Sequence, residues 1–227
     1  MSGAIVIMVK TPGLSLVKTR LASKLDQETA EQFHLASARS VATVVQKYSK
    51  LADVQAYFAV AEESALKHYY WQDLPCIWQG EGGLGERMAH IYQTLLDKHD
   101  FVIMVGADIP QMTTAEFAEA NSWVSHKEQA RFAFGPSVDG GFWLFAGNCS
   151  VPLAIWTDVI YSQEDTGVQF FNRIEELGEI KTLSCLRDVD EIEDLQPLRE
   201  ALLALPKPLP EQHSLVLFLD VVLAKLP

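Results

Sequence analysis

Four groups of residues have types and spacings that chemistry can use, and each falls where a strand is expected to end. The first runs Lys10-Thr-Pro-Gly13-Leu-Ser-Leu-Val-Lys18-Thr19-Arg20-Leu21. Pro12-Gly13 makes a turn, and Lys18, Thr19 and Arg20 then approach a helix with cations and free backbone N–H groups. Cations beside oriented N–H groups are what a di- or triphosphate requires. The segment is not a Walker A loop, because G-x-x-x-x-G-K-[ST] is absent. Lys18 and Arg20 both read as exposed, so replacing either by alanine should weaken nucleotide binding and leave folding almost unchanged.

The second group is Gln79-Gly80-Glu81-Gly82-Gly83-Leu84-Gly85-Glu86-Arg87. Its glycines would let backbone approach a flat base or a phosphate. Gly80, Gly82 and Gly85 also satisfy G-x-G-x-x-G, which keeps an NAD(P)-dependent oxidoreductase open as an alternative. Against it, the preceding strand is short and lies mid-chain. The third group is Gly106-Ala107-Asp108-Ile109-Pro110, closing an apolar run. A carboxylate there is poorly explained by packing, since an unpaired buried charge is costly. Magnesium, by contrast, takes one or two carboxylates and completes its shell with water and phosphate. The fourth is Gly135-Pro-Ser-Val-Asp139-Gly140-Gly141-Phe-Trp, which reads equally as an acceptor-binding loop or a plain β-turn. Asp188-Val-Asp190 follows later; Asp190 is either a second metal ligand or a helix N-cap.

Elements must hold these groups in place. Ala4–Val9 and Phe101–Val105 are continuous apolar runs, the mark of strands buried on both faces. Further strands are expected at Val54–Val60, Cys76–Gln79, Arg131–Phe134, Phe142–Phe145 and Ile180–Leu186. Helices are expected from Gln27 behind an Asp26 cap, at Ser64–Trp71, Glu86–Leu96, from Thr113 (with Glu116 as a capping box) to about Ser125, Gly167–Leu177 and Glu191–Leu205. Alternating strands and helices imply a three-layer α/β/α fold on a mostly parallel sheet. Residues 1–205 form that domain. Residues 206–227 are a proline-rich turn and an apolar appendage that should pack on the domain or serve a homodimer contact.

Composition narrows the function. The chain has 227 residues, 48% of them hydrophobic, and a formal charge of −12, which argues against a general nucleic-acid binder. Residues 1–50 nevertheless carry 7 Lys/Arg against 3 Asp/Glu, an excess of +4. A basic start on an acidic protein suits a small phosphorylated ligand. Three scattered cysteines and no leader-like or spanning apolar stretch point to a soluble cytoplasmic protein.

Taken in order, K-x-P…V-K-T-R-L-A, G-L-G-E-R-M, G-A-D-x-P and G-P-x-x-D-G-G-F-W-L resemble a bacterial glycosyltransferase-like family with the nucleotide-diphospho-sugar transferase (GT-A) fold. That family is similar to the molybdenum-cofactor and phospholactate guanylyltransferases. The resemblance spans roughly residues 5–195. It implies that Lys18 and Arg20 hold phosphates, that Gln79 and Gly83–Gly85 line the base, and that Asp108 and Asp190 bind a metal. Ser15 departs from the pattern, where glycine is usual, as does Tyr161-Ser162, where Trp-Ser is common. The expected function is a Mg²⁺- or Mn²⁺-dependent transfer of a nucleotidyl or glycosyl group to a small acceptor, with Lys18, Arg20 and Asp108 catalytic. Lys10, Gly13, Lys18, Thr19, Arg20, Gln79, Gly83, Leu84, Gly85 and Arg87 would bind the nucleotide, and Asp139, Gly140 and Gly141 the acceptor. A non-catalytic nucleotide-binding module is the other alternative.

Overall fold

A computed structural model describes residues 2–126 and 128–226; residues 1 and 227, the outer limits of the two expected segments, lie outside them. Seven strands form one sheet: β1 (Gly3–Val9), β2 (Val54–Val60), β3 (Cys76–Trp78), β4 (Phe101–Gly106), β5 (Arg131–Pro136), β6 (Phe142–Gly147) and β7 (Glu179–Thr182). Their order is β3-β2-β1-β4-β6-β5-β7. Only β6 runs antiparallel, against both β4 and β5. The direction of winding reverses between β1 and β4, the position at which open α/β sheets leave a crevice beyond their carboxyl ends.

The side chains of β1 show why it must be buried twice. Ile5, Ile7 and Val9 pack under α2 (Gln27–Ser49) and α4 (Thr114–Val124). Ala4 and Val6 face the opposite core, with α3 (Leu84–Leu96), α5 (Leu153–Thr157) and α6 (Thr166–Ile174). This gives the three layers expected. Two capping expectations also hold in detail. Asp26 accepts the Thr29 backbone N–H at 2.8 Å, and Glu116 accepts that of Thr113 at 2.9 Å.

Several boundaries differ for local reasons. The expected helix Ser64–Trp71 is instead two 3₁₀ turns, Glu63–Ala65 and Tyr69–Trp71, separated by an extended His68. Trp71 must turn inward, where its indole N–H reaches Thr11 Oγ1 at 3.0 Å. The expected helix from Glu191 begins only at Leu195, as α7 (Leu195–Leu203), after a 3₁₀ turn at Ile192–Asp194. Pro197 forces this, since its ring would clash with the carbonyl four residues back in a longer helix. The short α1 (Thr19–Ala22) and α5 were not foreseen.

The C-terminal segment is part of the packing rather than an appendage. Helix α8 (Pro210–Leu223) buries Leu215, Leu219 and Val222 in a cluster with Leu21 of α1, Phe33 of α2 and Leu198 of α7. Gln212 Nε2 donates to the carbonyls of Pro110 and Met112 at 2.8 and 2.9 Å. One side of this apolar stretch is thus covered within the chain, while Leu217 and Val221 on the other remain 55% and 57% exposed. Among the described residues no helix is long and apolar enough to cross a membrane.

Candidate active-site cleft

A cleft of about 1220 Å³ opens beyond the carboxyl ends of β1 and β4. It brings together much of what the sequence singled out. Lys10, Lys18, Thr19, Arg20, Gln79, Leu84, Asp108, Asp139, Gly141 and Asp190 all line it.

Lys18 is the centre of the arrangement, and it is not exposed. Its side chain is 4% accessible, with Nζ 3.0 Å from Asp108 Oδ2 and 3.0 Å from Asp190 Oδ1. A third bond goes to the Val189 carbonyl. An ammonium has three protons, so all its donors are committed. Burial alone would lower its pKa, but Asp108 and Asp190 outweigh that and raise it. Its backbone is left-handed, with φ 48°, a conformation non-glycine residues seldom adopt. Arg20, in contrast, is 61% accessible and only loosely paired, 3.9 Å from Asp190 and 3.8 Å from Glu191. Lys10 is also exposed. Lys10 and Arg20 are therefore the cations available to an incoming anion.

Asp108 lies two residues beyond the end of β4, at the strand's carboxyl end as expected. Burial pushes its pKa up, but Lys18 and then His34 overcome this and hold it well below the usual carboxylate range. Its Oδ1 is buried and has no hydrogen-bond partner among the described residues. Asp108 and Asp190 are bridged by the Lys18 ammonium instead of facing each other directly. The carboxylates that do lie together are Asp139, Asp188 and Asp190, with ligand atoms within 4.8 Å. Burial, then Asp139 and Asp190, pushes Asp188 up to about 7. Asp188 stood in the quoted D-V-D, but nothing in the sequence showed that Asp139 would come to meet it.

Other expected site residues take structural roles. Gly13 turns the loop at φ 83° and is not part of the cleft lining. Ser15 fits without glycine, because its φ is negative; its N–H bonds the Thr11 carbonyl at 3.0 Å. Gly83 caps α3, its N–H held by Glu86 at 2.6 Å. A side chain on Gly85 would place its Cβ 2.2 Å from the Trp156 carbonyl oxygen, so Gly85 is there for close packing. Arg87 bonds the Gly82 carbonyl at 2.9 Å. Neither Gly83, Gly85 nor Arg87 lines the cleft. Gly140, at φ 87°, backs onto Glu164, and its carbonyl accepts the Gly167 N–H at 2.8 Å. Gly140 and Gly141 thus seat the loop 161–166, which lines the far side of the cleft.

Gln79 is 4% exposed, and its amide nitrogen donates to the Val9 and Ala59 carbonyls at 3.1 and 2.8 Å. Both amide protons are spent on backbone, so Oε1 is the group left for a ligand. The G-x-G-x-x-G run follows β3 at the sheet edge, whereas the winding reverses at β1/β4. A dinucleotide fingerprint belongs at the reversal. The sequence reading also passed over His34, whose neighbours on α2 are largely apolar and which reads as core.

A model of a bacterial family described as "uncharacterized protein conserved in bacteria (DUF2064)" matches residues 40–163. The chain belongs to this family. A search of curated protein sequences gives no significant match. Among solved structures, this DUF2064 member is similar to a protein from Desulfovibrio desulfuricans G20 described provisionally as a nucleotide-diphospho-sugar transferase. The TM-score is 0.85 at 21% identity, over 99% of this chain and 98% of that one. It also resembles a nucleotidyl transferase from Methanothermobacter thermautotroptrophicus (TM-score 0.53, 12% identity, 87% and 96% covered). A third is CMP:2-keto-3-deoxy-manno-octonic acid synthetase in complex with CTP (TM-score 0.52, 11% identity, 88% and 98% covered). These likenesses establish the fold, that of the nucleotide-diphospho-sugar transferases.

Proposed function

We propose that the chain is a metal-dependent transferase acting on a nucleoside triphosphate or nucleotide-sugar, with glycosyl transfer to a small acceptor as the first reading. The observation that carries it is the division of charge within one cleft. Every Lys and Arg among the described lining residues comes from residues 10–20, whereas Asp139, Glu164, Asp165 and Asp188 line the remainder. Phosphates belong beside Lys10, Arg20 and the backbone of the loop after β1. A phosphorylated acceptor, as sugar-phosphate nucleotidyl transfer requires, would face Glu164 and Asp165, which a cation on Asp139, Asp188 and Asp190 leaves unneutralised; an acceptor hydroxyl or amine would hydrogen-bond to them.

The carboxylates fit a divalent cation. Asp139, Asp188 and Asp190 converge, and Asp108 Oδ1 is buried without a partner. Bound there with the phosphates, Mg²⁺ or Mn²⁺ would supply charge stabilisation for the departing diphosphate. The chain's own residues do the rest. Arg20 and Lys10 meet the phosphate oxygens as negative charge accumulates on them, and Gln79 Oε1 accepts from a donor on the base. Lys18 keeps Asp108 and Asp190 together while neutralising part of their repulsion. The acidic wall orients the acceptor's hydroxyl or amine hydrogens.

The test is a melting-temperature screen of nucleoside triphosphates, nucleotide-sugars and NADH, each with and without Mg²⁺. A ligand at 100 times its Kd adds about 2.7 kcal/mol of stability. A Mg²⁺-dependent shift with a nucleotide-sugar, together with nucleoside diphosphate release, is expected. Diphosphate release from a triphosphate with a sugar phosphate would instead favour nucleotidyl transfer. A shift with NADH alone would restore the oxidoreductase, and binding without turnover on any acceptor would leave a nucleotide-binding module.

A further inference from the structure

We infer that His34 and Ser37, two buried polar residues of α2, are positioning residues that brace the two strand ends flanking Lys18 and so hold its ammonium against Asp108. The inference refines the transferase reading by naming what aligns its charged centre.

His34 is 5% exposed and Ser37 fully buried. They sit three residues apart, on the side of α2 turned to the sheet, since residues at i and i+3 share a face. His34 Nε2 lies 2.9 Å from the Lys10 carbonyl, and Ser37 Oγ donates to the Ala107 carbonyl at 2.6 Å. A carbonyl only accepts, so Nε2 carries a proton. Lys10 is the first residue after β1, and Ala107 the first after β4. One rigid helix therefore ties the ends of both strands at the winding reversal. The same imidazole presents Nδ1 3.9 Å from Asp108 Oδ1, the oxygen that Lys18 does not reach.

Packing alone does not call for these residue types. Phe33, Ala38, Val41 and Val45 of the same helix are apolar and fully buried, and buried polar groups are retained at a cost unless each is satisfied. Here each donor is spent on a carbonyl adjoining a charged residue of the cleft. The resulting register fixes Lys18, which comes from the loop after β1, against Asp108, which follows β4.

The test reads the Lys18 ammonium directly, in the full chain without metal or nucleotide. Nitrogen-15 NMR of lysine ammonium groups detects a buried, triply bonded NH₃⁺ by its slow hydrogen exchange. Ser37→Ala and His34→Leu should each speed exchange at Lys18 by about tenfold or more, the effect of losing one aligning hydrogen bond. His34→Gln, whose amide can still donate to the Lys10 carbonyl, should largely restore slow exchange. Exchange unchanged within twofold in Ser37→Ala and His34→Leu would overturn the brace, even if both melt lower. No slowly exchanging Lys18 signal in the parent protein would overturn it too. If a variant fails to fold, the remaining one and His34→Gln decide. Ligand screening is separate, so a failed transferase assignment leaves this readout intact, and the reverse.

Discussion

At the scale of single residues, burial reverses the first expectation for Lys18. Read as an exposed phosphate cation, it should have been removable with little effect on folding. With its side chain 4% accessible between two carboxylates, its loss leaves Asp108 and Asp190 without their shared counter-charge. Because both acids are partly exposed, Lys18→Met should cost about 2 kcal/mol, less than a fully buried pair would; urea unfolding measures this. Arg20→Met, at an accessible position, should change stability far less and weaken nucleotide binding. Asp188 behaves oppositely. Its folded pKa, pushed up to about 7, exceeds the ordinary value of about 4. Its ionisation therefore costs stability as pH rises through that interval. Asp188→Asn should melt like the parent near pH 4 and above it near pH 8, in metal-free buffer. Equal melting at both pH values would remove Asp188 from the crowded carboxylate group.

Among the elements, α8 carries the clearest test. Leu219 is fully buried at its contact with α2 and α7, so Leu219→Ala should cost ~3 kcal/mol, measurable by denaturant titration. Most of the sheet was legible in advance. Strands β1 and β4 announce themselves as unbroken apolar runs, and Asp26 and Thr113 mark helix starts by hydrogen-bonding chemistry that acts within three residues. What failed to show depends on contacts distant in sequence. Ser64–Trp71 has helical composition, yet Trp71 is drawn inward by Thr11, sixty residues earlier. Likewise the acids of the cleft could be recognised one at a time. Their grouping could not, because Asp139 meets Asp188 only once β5 pairs with β7. Lys18 reads as exposed for the same reason: its burial is made by Asp190, 172 residues away.

Over the whole molecule, the winding reversal divides the sheet into two blocks of sequence. β1, β2 and β3 come from residues 3–78, and β4 to β7 from residues 101–182. The first block supplies the cations of the cleft and the second most of its acids; Lys10, Lys18 and Arg20 are three of the seven Lys/Arg behind the N-terminal excess of +4 in a chain of net −12. The last forty residues then return to the first block: Val189 and Asp190 reach Lys18, and α8 lies along α2. That return path has a consequence for synthesis. A chain emerging from the ribosome can form its first three strands early, since domains fold as their segments become available. Lys18 has neither Asp190 nor the Val189 carbonyl until the segment beyond β7 is released. The charged centre is thus assembled only after every strand of the sheet has been made, and a copy cut short between Thr182 and Asp190 keeps all seven strands without an assembled centre.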